Sequence, residues 1–293
     1  MPVSLLSFTK RALLGLTISA LLAAPAFAQM VQGSTLPQAR LTQRPLIVAH
    51  RSRQSPDQAE NSLQQMQRTA SRTVGVEMDL ATSKDGVLYL LHDDTLDRTT
   101  TGTGPLAAQD SQALDALRLK DGKGQPTSEA LPRLTQVLDW ATATPEVILM
   151  LDLKGTRVSK VVPLLRDRNL LNRVILLTFD RTTAVEALRH ADGALVSVLV
   201  TSNSDVNYYR RVAGTRQLAM YVPQTARPKL FSQAQAKQAL IVSDLLQGID
   251  ADIDPVASKA RTQGCKAYHD YIDQRHIDVL VSNNPVCAAE TIK

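Results

Sequence analysis

From Leu46 onward the chain alternates short, almost wholly apolar runs with stretches whose apolar residues recur at helical spacing. Leu46–His50, Val74–Leu80, Val147–Asp152, Arg173–Thr178 and Leu195–Val200 read as strands buried on both faces. Ser62–Arg72, Leu134–Thr142, Arg157–Arg168 and Thr182–His190 fall between or beside them and read as helices. Such alternation predicts parallel β/α units. Leu218–Val222, Lys266–Ile272 and Ile277–Ser282 bring the expected strands to about eight, and Ser232–Leu246 reads as one long helix. The prediction is an α/β fold, a (β/α)8 TIM barrel, with an irregular C-terminal third. That irregularity is expected because only about six residues separate the last two strands, too few for a crossover helix.

Ahead of the barrel, Lys10 and Arg11 precede an apolar run from Ala12 to Ala24, and Ala26-Phe27-Ala28 has the form of a cleavage site. An apolar run of about 13 residues is short for a membrane span, which needs roughly 20. The expectation is a signal peptide over 1–28, a flexible leader over 29–44 and one barrel domain over 45–293. It implies an exported protein, periplasmic or secreted, with no stable membrane anchor. The formal charge of +5 could help to attract anions but is ordinary for such a protein. No block of Lys and Arg is interleaved with aromatics, which argues against nucleic acid as partner and leaves a small molecule. Two cysteines, Cys265 and Cys287, do not frame a disulfide scaffold. Export favours their pairing, but the strand assignment above puts them at opposite barrel ends, roughly 20 Å apart, where a disulfide needs about 7 Å or less. Nothing in the pattern fixes an oligomeric state.

The chemistry concentrates in Val74–Arg98. Glu77 and Asp79 stand two apart on a strand and so share one face. Paired carboxylates raise each other's pKa unless a cation lies between them. A hairpin closing on a two-residue Asp85-Gly86 turn would set His92 opposite Asp79, with Cβ atoms about 5 Å apart. His50, the Glu77/Asp79 pair and Asp152/Lys154 all fall at strand C-terminal ends, where barrels of this kind gather their functional groups.

Five ordered motifs resemble the glycerophosphodiester phosphodiesterase family. They are His50-Arg51-Ser52 with Glu60-Asn61-Ser62, Glu77-Met78-Asp79-Leu80 through Gly86, His92-Asp93 with Leu96 to Gly104, Asp152-Leu153-Lys154, and Val281 to Pro285. The resemblance implies hydrolysis of glycerophosphodiesters to glycerol 3-phosphate and an alcohol, on a TIM barrel with a divalent metal. Carried onto this chain, it implies Glu77, Asp79 and Asp152 as ligands of Ca²⁺ or Mg²⁺. His50 and His92 would be the acid–base pair, and Arg51 and Lys154 would bind the phosphate oxygens. Glu60 would support a neighbouring group, hold metal or cap the following helix. Two departures stand out. Ser52 replaces a family Gly, so its Cβ is expected to narrow the pocket, and Asp152 is one methylene shorter than the family Glu. An Asp there resembles the related sphingomyelinase D-type phospholipases, making lysolipid cleavage one alternative. A binding barrel with a decayed site is another.

Overall fold

The computed structural model describes residues 45–71, 75–246 and 258–292. The expected signal peptide and leader lie outside them. Eight parallel strands close a barrel: β1 (Leu46–Ala49), β2 (Gly75–Thr82), β6 (Ile148–Asp152), β7 (Val174–Thr178), β8 (Leu195–Leu199), β9 (Ala219–Tyr221), β10 (Leu240–Asp244) and β11 (Val279–Ser282). They neighbour one another in that order, and β1 pairs with both β11 and β2. Three further strands, β3 (Leu88–Leu90), β4 (Arg118–Lys120) and β5 (Pro126–Ala130), belong to an excursion between β2 and β6.

Period-two alternation sorts the barrel residues into two layers. Leu46, Val48, Ile148, Met150, Ile175 and Leu177 are among those that fill the interior. Ile47, Val76, Met78, Leu149, Leu151 and Leu176 point outward and pack beneath the surrounding helices. The β1–β2 seam depends on Gly75, because a Cβ there would lie 2.7 Å from Val48 Cγ2 and 3.0 Å from the Ile47 carbonyl. The excursion has its own small core, with Tyr89, Leu91, Leu96, Leu106, Leu114 and Leu119 buried together.

The C-terminal third departs from expectation by being regular. Ser232–Leu246 is not one helix: a helix spans Pro228–Gln235 and β10 follows at Leu240–Asp244. The helix stops with Gln238 at φ 57°, a left-handed position usually marked by Gly, so the stop is hard to read. Lys266–Ile272 is not a strand but part of a helix over Ser258–Arg275, which is the crossover the strand count lacked. Its buried Cys265, Tyr268 and Ile272 stand at i, i+3 and i+7, one face of a helix. That face brings Cys265 beside Cys287 on the Pro285–Glu290 helix, and the two form a disulfide with Cα atoms 5.3 Å apart. The expected 20 Å separation rested on the wrong element.

The central hairpin is offset by one residue from its expected register. Leu80 faces Leu90 and Thr82 faces Leu88, while Ser83 N–H donates to the Val87 carbonyl at 2.9 Å. The loop therefore holds three residues, Lys84-Asp85-Gly86, with Gly86 at φ 88°, a common three-residue hairpin form. Ser83 Oγ secures it, accepting from Val87 N–H at 2.9 Å and donating to Asp85 at 2.6 Å. Leu91, not His92, donates its N–H to the Asp79 carbonyl, at 3.1 Å. His92 lies beyond the strand, where the chain bends.

Candidate active site

At the C-terminal mouth of the barrel, β2 and β6 lie in register with Glu77 beside Met150 and Asp79 beside Asp152. Both strands point these acids inward, and ligand oxygens of Glu77, Asp79 and Asp152 all lie within 4.8 Å of one another. The shorter Asp152 thus still reaches the cluster. All three are buried. Burial, with the Asp79 charge adding to it, pushes Asp152 up to about 7 and Glu77 well above its ordinary range. Negative charge is therefore undercompensated at this point, and the hard oxygen donors suit a hard divalent cation.

The acids are held by their neighbours. Arg51 donates its backbone N–H to Glu77 at 2.6 Å. Asn61 grips Asp79 at both ends, donating Nδ2–H to the carboxylate at 2.9 Å and accepting the Asp79 N–H at 3.1 Å. Lys154 donates its backbone N–H to Asp152 at 3.2 Å. Its ammonium lies 3.6 Å from Asp79 and donates to the His92 carbonyl at 2.6 Å. That last contact ties the hairpin excursion to the barrel mouth.

His50 opens a short 3-10 turn directly after β1. Its Nδ1 lies 2.7 Å from Asn283 Oδ1, just past β11. With that oxygen as acceptor, Nδ1 carries the proton and Nε2 is left as the basic nitrogen. Burial lowers the His50 pKa to about 4, with the Asn283 hydrogen bond opposing the shift and the Arg51 charge adding to it. The imidazole is neutral at neutral pH. His92 Nδ1 meets Asp93 at 2.8 Å, and Arg98 holds Asp93 through bonds of 2.7 and 2.9 Å.

Arg98 also donates to both oxygens of Glu60, at 3.0 and 2.7 Å. Arg51 does the same at 3.1 Å, and Arg53 lies 3.6 Å away. Burial alone would raise Glu60, but the Arg98 hydrogen bonds and the three guanidinium charges outweigh it and bring the carboxyl down to about 2. Glu60 is thus an anionic hub for arginines, outside the three-acid cluster. The helix is capped instead by Ser62, whose Oγ accepts the Gln65 N–H at 3.0 Å. Arg51 reaches from Glu60 to within 3.9 Å of Asp79.

Ser52 does not narrow the mouth by pointing into it. It sits at φ 62°, fully buried, and donates its hydroxyl to the Glu77 carbonyl at 2.6 Å. A Ser can thus occupy this glycine-favouring conformation while bonding to the strand behind the site. The roles of Asn61, Asp93, Arg98 and Asn283 escaped the sequence reading, although each lies within a motif quoted there.

Fold and site define an α/β-barrel protein with a carboxylate cluster and two anchored imidazoles at its mouth. The chain belongs to the glycerophosphoryl diester phosphodiesterase family, whose model matches residues 50–281. It is 26% identical over 164 residues to a glycerophosphodiester phosphodiesterase of Caldanaerobacter subterraneus subsp. tengcongensis, spanning 53% of this chain and 66% of that one. Over 60 residues it is 45% identical to glycerophosphodiester phosphodiesterase 1 of Homo sapiens, covering 20% of this chain and 18% of the human protein. The crystal structure of a glycerophosphoryl diester phosphodiesterase from Parabacteroides distasonis superposes with TM-score 0.73 at 25% identity, covering 85% of this chain and 86% of that one. An Oleispira antarctica phosphodiesterase solved with the product sn-glycerol-3-phosphate shares the fold, with TM-score 0.65 at 19% identity over 84% of this chain and 96% of that one.

Proposed function

We propose that the protein hydrolyses glycerophosphodiesters to glycerol 3-phosphate and an alcohol. The observation that carries this reading is the joining of Glu77, Asp79 and Asp152 with two imidazoles held through Nδ1 by Asn283 and Asp93. Bound by the three carboxylates, Ca²⁺ or Mg²⁺ would neutralise the phosphodiester and hold its oxygens. Arg51 and Lys154 supply positive charge beside it. His50, neutral with Nε2 basic, takes the proton of the attacking hydroxyl, and His92 delivers one to the departing alkoxide. Asp93 and Asn283 orient the two rings.

The solved relative that holds glycerol 3-phosphate agrees with this choice of product. The complete set of ring anchors favours catalysis over a barrel that only binds. The sequence of residues 1–28 supports export, and the Cys265–Cys287 disulfide fits an oxidising compartment. A single barrel domain from residue 45 onward accounts for the described elements.

The test is release of glycerol 3-phosphate from glycerophosphocholine and of product from lysophosphatidylcholine, with chelator and with Ca²⁺ or Mg²⁺ restored. Glycerol 3-phosphate formation that stops with chelator and returns with either ion is the expected result. Turnover of the lysolipid alone would reject the reading.

A further inference from the structure

The mouth is divided between two chemistries. On β11, β1, β2 and β6 the last inward positions are Asn283, His50, Asp79 and Asp152, all polar and all engaged in the site described above. Across the barrel, on β7, β8, β9 and β10, the corresponding positions are Phe179, Leu199, Tyr221 and Asp244. Three of these four carry apolar or aromatic surface. Phe179 is 44% exposed, the exposed large hydrophobic among the described residues. Its ring stands edge-on to Tyr221, centroids 5.1 Å apart and planes at 74°. A single exposed ring is ordinary on a protein surface; what sets this one apart is its place beside Tyr221 at the strand ends of the mouth.

The remaining member is an acid. The Tyr221 hydroxyl donates to Asp244, and the Gln224 backbone N–H also bonds that carboxylate. No described cation pairs with Asp244, which is partly buried. Tyr221 is within electrostatic reach of Glu77 as well as Asp244, which sets this wall close to the acid cluster. Aromatic faces around an unpaired carboxylate recognise an ammonium group, which is attracted by the ring quadrupoles and by the negative charge together.

We propose that Phe179, Tyr221 and Asp244 form a subsite for a cationic head group, so that the preferred diesters carry an ammonium-bearing alcohol. The phosphodiester then bridges the two halves of the mouth, its phosphate on the ionic half and its ammonium on the aromatic half. This inference rests on the hydrolytic reading given above.

The test compares kcat/KM for glycerophosphocholine with that for glycerophosphoglycerol, whose head group is neutral, in the full chain. Asp244→Asn keeps an acceptor for Tyr221 and removes the charge; Phe179→Ala removes the exposed ring and Phe179→Tyr restores one. The choline-to-glycerol ratio should fall about tenfold or more in Asp244→Asn and Phe179→Ala and be retained in Phe179→Tyr. A ratio unchanged in both variants, whether or not total activity falls, overturns the subsite. Calorimetric titration with phosphocholine separates the two readings. Binding that weakens in Asp244→Asn while the wild type turns over neither diester would reject hydrolysis and keep the cation site. Equal binding to wild type and Asp244→Asn would reject the cation site.

Discussion

His50 and Asn283 stand 233 residues apart in sequence, yet their side chains meet at 2.7 Å across the β1–β11 pairing. The hydrogen bond selects the tautomer that leaves Nε2 basic, the arrangement a general base needs. Asn283→Ala is expected to lower kcat by roughly 10- to 100-fold with KM little changed, while Asn283→Asp retains more activity. Steady-state kinetics together with thermal unfolding check this, the unfolding midpoint moving little in either variant. If Asn283→Ala turns over at the wild-type rate, His50 does not depend on this anchor.

The three-acid cluster makes an opposite-signed prediction for stability. Glu77, Asp79 and Asp152 repel one another when charged, so metal-free Glu77→Gln should unfold at no lower temperature than metal-free wild type. Adding Ca²⁺ or Mg²⁺ should raise the wild-type midpoint, since binding to the folded form alone stabilises it, and leave that of Glu77→Gln nearly unmoved. A thermal-shift titration of both proteins decides the matter, equal shifts counting against metal at the cluster.

Glu60 contributes to stability in acid. Its carboxyl lies at about 2 when folded against an ordinary 4.5, so the folded state binds fewer protons and gains stability above pH 4.5. That gain is lost as pH falls from 4.5 towards 2. Arg98→Ala withdraws two of the hydrogen bonds on this buried acid and should cost about 1–3 kcal/mol at neutral pH. The same variant should unfold at a higher pH during acid titration. Circular dichroism against pH for both proteins gives the comparison.

The Cys265–Cys287 disulfide closes a 22-residue separation, worth about 3 kcal/mol in the loop-entropy account. Reduction, or Cys265→Ser with Cys287→Ser, should lower the unfolding midpoint while leaving kcat close to wild type, because both cysteines are buried in the outer hydrophobic layer beneath the helices. Alkylation before and after reduction should add labels only in the reduced sample.

Much of the barrel was legible because its strands are continuous apolar runs and its site residues sit where those runs end. Glu77, Asp79 and Asp152 could be placed on one inner wall from alternation alone, since strand periodicity needs no knowledge of tertiary contacts. The hairpin register could not, because a Ser83 side chain, rather than the Asp-Gly dipeptide by itself, sets the loop length. The C-terminal third was misread for a related reason. Gln238 takes the left-handed turn that a glycine would have advertised, and Tyr268 and Tyr271 mimic strand residues while Tyr268 and Ile272 carry the helix's buried face. Asn283 lay in plain view, but its value comes from a partner in the first strand, which only closure of the barrel supplies.

The β1–β2 seam has a consequence for when the protein can work. Only Val48 and Ala49 pair across it, and the Arg51–Glu77 and Ser52–Glu77 hydrogen bonds sit at its upper end. The opposite edge of β1 stays open until β11 docks against it. A ribosome delivers His50 well before Asn283, which follows 233 residues later. Until β11 joins the sheet, then, His50 lacks its Asn283 partner, and the two come together only when the barrel closes.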